Sequence, residues 1–305
     1  MEFLRFLEGL RTPLGDVFFS TVTHLGEETL FIVAGLLFFW CLDKWQGYYL
    51  LTVGLTGTVI NQFLKLLFRI PRPWVLNENF TIVDSARAEA TGYSFPSGHT
   101  QSSVGIFGGL ARWNKQRWAR VLCIVICVLV PLSRMYLGVH TPKDVLVSVA
   151  VALALTFGFY PLVLRAQQQP KILRALLAGM LALAVGYLAF VSFYAFPADV
   201  DAENLASGTK NAWKMLGCIL GVWLAFECDS RWLHFEVKAV WWAQLLKLVG
   251  GLGVLLGIKA GLKAPLYALL NGSYAADGVR YFLMVAFAGC LWPLTFGWFA
   301  KLGRK

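Results

Sequence analysis

The chain has 305 residues, 58% of them hydrophobic and only 14% charged, with 12 Trp and 23 Phe and a formal net charge of +10. A soluble domain carries roughly 25% charged residues, so the composition excludes an ordinary water-soluble globule and leaves a polytopic α-helical membrane protein. The basic surplus falls in short loops between apolar stretches, where it sets topology and touches anionic headgroups; no nucleic-acid-binding pattern accompanies it.

Residues 1–26 place Phe3, Leu7, Leu10 and Leu14 at helical spacing with Arg5, Glu8 and Arg11 between them. This pattern predicts an amphipathic helix lying in the membrane interface, not a cleavable signal. Nine apolar spans are expected after it, at about 27–43, 46–68, 98–113, 118–137, 143–165, 172–195, 211–228, 239–262 and 278–300. Connections are short except for 69–97, whose polar and mixed stretch Asn77–Ala90 reads as a loop over a site.

Arg112, Lys115, Arg117 and Arg120 crowd the third connection, and Arg165, Lys171 and Arg174 the fifth, so both are expected on the cytoplasmic side. Asp199, Asp201 and Glu203 suit the opposite side, and Lys301, Arg304 and Lys305 put the C-terminus inside. An odd span count then leaves the N-terminus outside. The 69–97 and 137–143 connections share that outer face. Short loops and the lack of a retention signal favour a bacterial plasma membrane.

All six cysteines lie in or at the ends of spans, and Cys123 and Cys127 stand four apart on one helix face. They read as small packing residues. Only four histidines occur, two of them in the clusters described next, so no metal site is expected.

Three polar clusters interrupt the apolar pattern: Lys65–x6–Arg72–Pro73, Pro96–Ser97–Gly98–His99 and Ser133–Arg134–x5–His140–x3–Asp144. Clustered charge within an apolar chain marks a functional site by default. Lys65 and Arg72 share a helix face if the second span continues through Ile70, although Pro71 and Pro73 limit it. Arg134 adds a third cation. Arginine offers a rigid fork suited to phosphate oxygens, and lysine a compact point charge.

Ser97 opens the third span as a cap, and the same helix start, with Gly98 permitting close approach, makes an anion cradle. His140 and Asp144 are four apart and share a face if the helix begins near residue 141. Thr141–Pro142–Lys143–Asp144 also reads as a capping box. A carboxylate on one imidazole nitrogen fixes the tautomer and leaves the other nitrogen free to attack phosphorus. Two histidines then divide the labour, one as nucleophile and one as acid to the leaving oxygen.

These eleven positions resemble the signature of the type-2 phosphatidic acid phosphatase family, within the superfamily shared with vanadium haloperoxidases. The resemblance covers residues 65–144. It implies His140 as nucleophile, Asp144 as its orienting carboxylate and His99 as general acid. It implies Lys65, Arg72, Ser97, Gly98 and Arg134 as phosphate ligands, and a reaction without metal or other cofactor. The nine-span layout, with the first motif ending the second span, further resembles the glucose-6-phosphatase branch.

The expected organisation is therefore all-α: an interfacial helix over 1–26, a phosphatase core over 27–168, and four additional transmembrane helices over 169–305 without an assigned role. Lys259 and Lys263 are expected to snorkel, Lys247 to snorkel or find a buried partner, and His24 and His234 to lie at the interface. The expected function is hydrolysis of a lipid phosphate or prenyl diphosphate at the outer face, among membrane lipids. A soluble hexose phosphate as substrate, transfer of the phosphoryl group to an acceptor other than water, and non-catalytic binding are the competing readings.

Overall fold

The computed structural model describes residues 1–87 and 90–303; Arg304 and Lys305, used above for topology, lie outside the described residues. The described chain is helical, with no strand. Six stretches are long and apolar enough to cross a membrane: Lys44–Leu76, Arg117–Tyr136, Pro142–Ala166, Pro170–Phe193, Trp241–Leu269 and Ala275–Lys301. The pair Pro13–Gly26 and Glu28–Leu42, bent by 50°, raises the number to seven if it is one span. Helix also covers the remaining predicted segments, although the one at 98–113 is only 16 residues long, short of the ~20 needed to span a bilayer.

The chain divides into two compact units, one of residues 1–32 and 56–160, the other of residues 33–55 and 161–305. The first begins with α1 (Glu2–Gly9) and α2 (Pro13–Thr23). The single helix expected over 1–26 is thus two. Thr12 takes an extended conformation and caps α2 by accepting from Gly15 N, and Pro13, which lacks an N–H, occupies the first helical position. Leu4 is the buried residue of α1, whereas Phe3, Leu10 and Leu14 are exposed. Arg11 at the break donates to the carbonyls of Tyr136 and Thr81, and Thr12 N donates to the Tyr136 hydroxyl. The N-terminal segment is therefore anchored to its own unit rather than only resting on lipid.

α4 (Lys44–Phe68) ends where Arg69 enters the left-handed region at φ 49. The helix ends where the predicted second span does, so the condition for Lys65 and Arg72 to share a helix face, continuation through Ile70, is not met: that turn and Pro71 stop the helix. α5 (Pro73–Leu76) is a single turn, and the connection after it buries Phe80, Ala86 and Ala90. Phe80 joins Leu4, Met135 and Val145 in one cluster, and Ala86 and Ala90 join Tyr136, Leu137 and Val139 in another. The unit is completed by α6 (Gly98–Trp113), α7 (Arg117–Tyr136) and most of α8 (Pro142–Ala166).

The second unit contains α3 (Glu28–Leu37) from Val33 on, the start of α4, the end of α8, α9 (Pro170–Phe193), α10 (Ala202–Cys228), α11 (Trp241–Gly261), α12 (Lys263–Leu269), α13 (Ala275–Ala286) and α14 (Phe296–Phe299). Lys247 is buried; its Nζ donates to the Val237 carbonyl at 3.0 Å and lies 4.3 Å from the Phe296 ring centroid. Lys259 and Lys263 are exposed, as snorkelling residues are. A buried ion pair that sequence reasoning missed joins Asp277 and Arg280, with the Tyr267 hydroxyl donating to Asp277 at 2.6 Å. Large apolar side chains stand outward along the helices, Phe193 at 87% exposure among them, which is costly in water and natural against lipid chains.

Candidate active site

The three polar clusters meet within the first unit, around one cavity of about 220 Å³ bordered by Lys65, Arg72, Gly98, His99, Arg134 and His140. Each arrives by a different local device. Lys65 projects from the last turn of α4. Arg72 does not share its helix face but follows an extended link and starts α5. Ser97 is fully buried and caps α6, accepting from Thr100 N at 3.4 Å, so Gly98 and His99 form the first turn of that helix. Arg134 stands in the last turn of α7 and His140 in the connection to α8.

Chain carbonyls hold Arg72 and Lys65 in place, and a side-chain hydroxyl holds Arg134. Arg72 donates from Nε to Gly92 O at 3.0 Å, from one terminal nitrogen to Thr91 O at 2.6 Å and from the other to Val139 O at 3.0 Å. Lys65 Nζ donates to Tyr93 O. Arg134, only 1% exposed, donates to the Thr23 hydroxyl at 2.6 Å. Fixing the side chains in advance lowers the entropy lost when an anion is bound.

The histidine–carboxylate pair is the most constrained part of the site. Asp144 Oδ2 accepts from Ser94 Oγ at 2.6 Å and from Thr141 N at 2.8 Å, and lies 3.5 Å from His140 Nδ1. Thr141 Oγ1 accepts in return from Asp144 N at 3.4 Å, so the capping box and the His–Asp pair coexist. On the other side of the ring, Arg72 donates to His140 Nε2 at 3.0 Å. A guanidinium can only donate, so Nε2 carries the lone pair and Nδ1 the proton. Burial first, then the charges of Arg72, Arg134 and Lys65, hold His140 well below the ordinary histidine range, which keeps the imidazole neutral at pH 7. Chemically the arrangement offers a neutral nitrogen with a directed lone pair, surrounded by positive charge.

The eight residues expected at the site are therefore together. Three others were missed. Ser94 is fully buried and lies between Asp144 and His140, 3.5 Å from His140 Nδ1. Thr23 positions Arg134 from 111 residues away, with no signal in the sequence. Asn61 borders the cavity one helical turn before Lys65, a spacing that could have revealed it. Gly26 is also fitted to the site: a Cβ there would come within 2.8 Å of the His99 carbonyl. Among the described residues no group of three or more His, Cys, Asp or Glu side chains is placed to hold a metal.

Clustered cations around a buried His–Asp pair in a helical unit suit the handling of a phosphate. Residues 45–168 match the PAP2 superfamily and residues 213–305 match the transmembrane extension of PAP2 superfamily phosphatases. The chain thus carries a PAP2 superfamily domain followed by that extension, and its class is that of phosphate monoester or diphosphate hydrolases.

Among curated proteins, it is 28% identical to phosphatidylglycerophosphatase B of Bacillus subtilis over 161 residues, 48% of this chain and 75% of that protein. It is 37% identical to undecaprenyl-diphosphatase BcrC of the same organism over 108 residues, 35% of this chain and 52% of the relative. Sphingosine-1-phosphate phosphatase 1 of Rattus norvegicus is 28% identical over 148 residues, 46% of this chain and 33% of the relative. No solved structure matches the chain.

Proposed function

We propose that this protein hydrolyses a lipid phosphate through a phosphohistidine intermediate. The observation that carries the reading is the ring of His140, whose Nε2 lone pair is directed by Arg72 while Nδ1 faces Asp144. In the first step the Arg72 N–H that meets Nε2 at 3.0 Å turns to a phosphate oxygen, the freed Nε2 lone pair attacks phosphorus and the P–O bond to the leaving alcohol breaks, with His99 supplying the proton that the alkoxide needs. The positive charge that develops on the imidazole is offset by Asp144. In the second step water gives a proton to His99 and its oxygen to phosphorus, which releases phosphate and restores neutral His140. Lys65, Arg72, Arg134 and the backbone N–H groups of the Ser97–Gly98–His99 turn would hold the oxygens of the phosphoryl group throughout.

A lipid substrate is supported by the named activities of the relatives, on phosphatidylglycerophosphate, undecaprenyl diphosphate and sphingosine 1-phosphate. The proposal includes nine spans, an outer N-terminus and a cytoplasmic C-terminus, supported by helix in all nine predicted segments and by the basic connections. It places the site at the extracytoplasmic face, in a bacterial plasma membrane. The layout likeness to the glucose-6-phosphatase branch keeps a hexose phosphate as the competing substrate.

The test is phosphate release by purified protein in detergent, from a lipid phosphate and from glucose 6-phosphate. Release from the lipid alone, abolished in His140→Ala with folding retained, is expected. Activity persisting in that variant refutes the mechanism, and release from the sugar alone refutes the substrate class.

A further inference from the structure

The cavity is bordered by more polar side chains than the phosphate reading uses, among them Asn61, Gln101, Ser102 and Glu28. Asn61 stands out. It is only 3% exposed, and neither its amide nitrogen nor its amide oxygen has a hydrogen-bond partner among the described residues. Buried amides are normally satisfied, because leaving donor and acceptor bare forfeits their hydration with nothing in return. An amide kept bare on the wall of a substrate cavity is explained if the substrate is its partner.

Its location says which part of the substrate. Asn61 lies one turn before Lys65 on α4, about 6 Å nearer the middle of the span. Its Oδ1 is 3.9 Å from where a Cβ on Gly98 would sit, nearer than any other atom outside that glycine's chain neighbours and its own helix backbone. It therefore faces the turn that carries His99, the residue assigned to the leaving oxygen, across a gap left open by a glycine.

We propose that Asn61 is the specificity-determining residue of a neutral subsite that binds a hydroxyl or amino group on the leaving alcohol, adjacent to the scissile phosphate ester. The inference rests on the lipid phosphatase reading above and narrows it to a monophosphate. An amide both donates and accepts: it can do both toward a hydroxyl, and its oxygen accepts from the ammonium form of an amine. The cations of the cavity, Lys65, Arg72 and Arg134, belong to the phosphate-binding motifs, whereas the additional polar wall consists of uncharged side chains and the carboxylate of Glu28. Among the described residues that border the cavity, a second phosphate placed there would meet no further cation and one like charge, so a diphosphate is the poorer fit.

The experiment compares kcat/KM of the full-length protein in detergent micelles on alkyl phosphates of equal chain length. One bears a neighbouring hydroxyl, one a neighbouring amine and one neither, and a prenyl diphosphate is the fourth substrate. The wild type is expected to favour the hydroxyl or amine compound over the plain one by at least about tenfold, the worth of one hydrogen bond. Asn61→Ala should remove that preference while leaving the plain alkyl phosphate within about twofold of wild type. Asn61→Ser, whose shorter side chain cannot span the gap, serves if the alanine variant does not fold, with the same expectation.

Equal loss on all substrates, an unchanged preference, or a wild type that favours the diphosphate overturns the subsite. Failure of the underlying reading is distinguishable, because the wild type would then release phosphate from glucose 6-phosphate and from none of the four lipids.

Discussion

Asp144→Asn isolates the electrostatic part of the proposed mechanism. The substitution keeps the shape of the side chain, so its oxygen can still accept from Ser94 Oγ and Thr141 N, which lie at 2.6 and 2.8 Å. What it removes is a negative charge 3.5 Å from His140 Nδ1, between side chains only 2% and 1% exposed. Attack through Nε2 makes the imidazole ring cationic. At an effective dielectric of about 20, a unit charge at that distance stabilises the cation by on the order of 5 kcal/mol. Each 1.36 kcal/mol is tenfold in rate, so kcat should fall by roughly three to four orders of magnitude.

The assay is single-turnover release of phosphate from a lipid phosphate in detergent, with thermal unfolding measured beside it. Asn should unfold close to wild type, whereas Asp144→Ala should also lose about 1–3 kcal/mol of stability, because the buried Ser94 hydroxyl and the half-buried Thr141 N–H lose their acceptor. An Asn variant that stays within tenfold of wild type would refute the assigned role of the carboxylate.

Two further outcomes are expected. Ser94→Ala removes one of the bonds that fix Asp144 and should lower kcat by about tenfold, the value of a charge-assisted hydrogen bond, with KM little changed; an unaltered kcat would remove Ser94 from the mechanism. Arg72→Gln takes away the largest charge contribution to the lowered pKa of His140. Protonated His140 cannot attack, so activity is lost as pH falls through its pKa, and raising that pKa moves the acid limb of kcat/KM to higher pH. A variant whose acid limb stays in place would show that Arg72 does not hold the proton off His140.

Much of the site was legible without coordinates because it is built from local spacing. The His140–Asp144 pair is an i,i+4 relation at a helix start, and Thr141–Pro142 announces that start; both survive in the folded chain. Ser97 as the cap of α6 follows from the same kind of rule. Where local rules competed, reading was less secure. Lys65 and Arg72 have the spacing of one helix face, but Arg69 turns left-handed and Pro71 follows, so Arg72 reaches His140 from an extended link. The N-terminal amphipathic pattern likewise divides at Thr12–Pro13, where a cap and a proline outweigh hydrophobic periodicity.

The sequence by itself determined the medium and the chemistry. An apolar chain with so little charge folds in lipid, and charge retained there marks a functional site by default, so the kinds of residue around the cavity could be named in advance. Tertiary structure alone decided the contacts that orient them. Thr23 meets Arg134 across 111 positions and Ser94 meets Asp144 across 50. Such pairs are created by chain reversal and packing, and linear spacing reports only neighbours within a turn or two of helix. The bare amide of Asn61 is of the same kind, since an unsatisfied group is recognised only once everything that could have satisfied it has been placed.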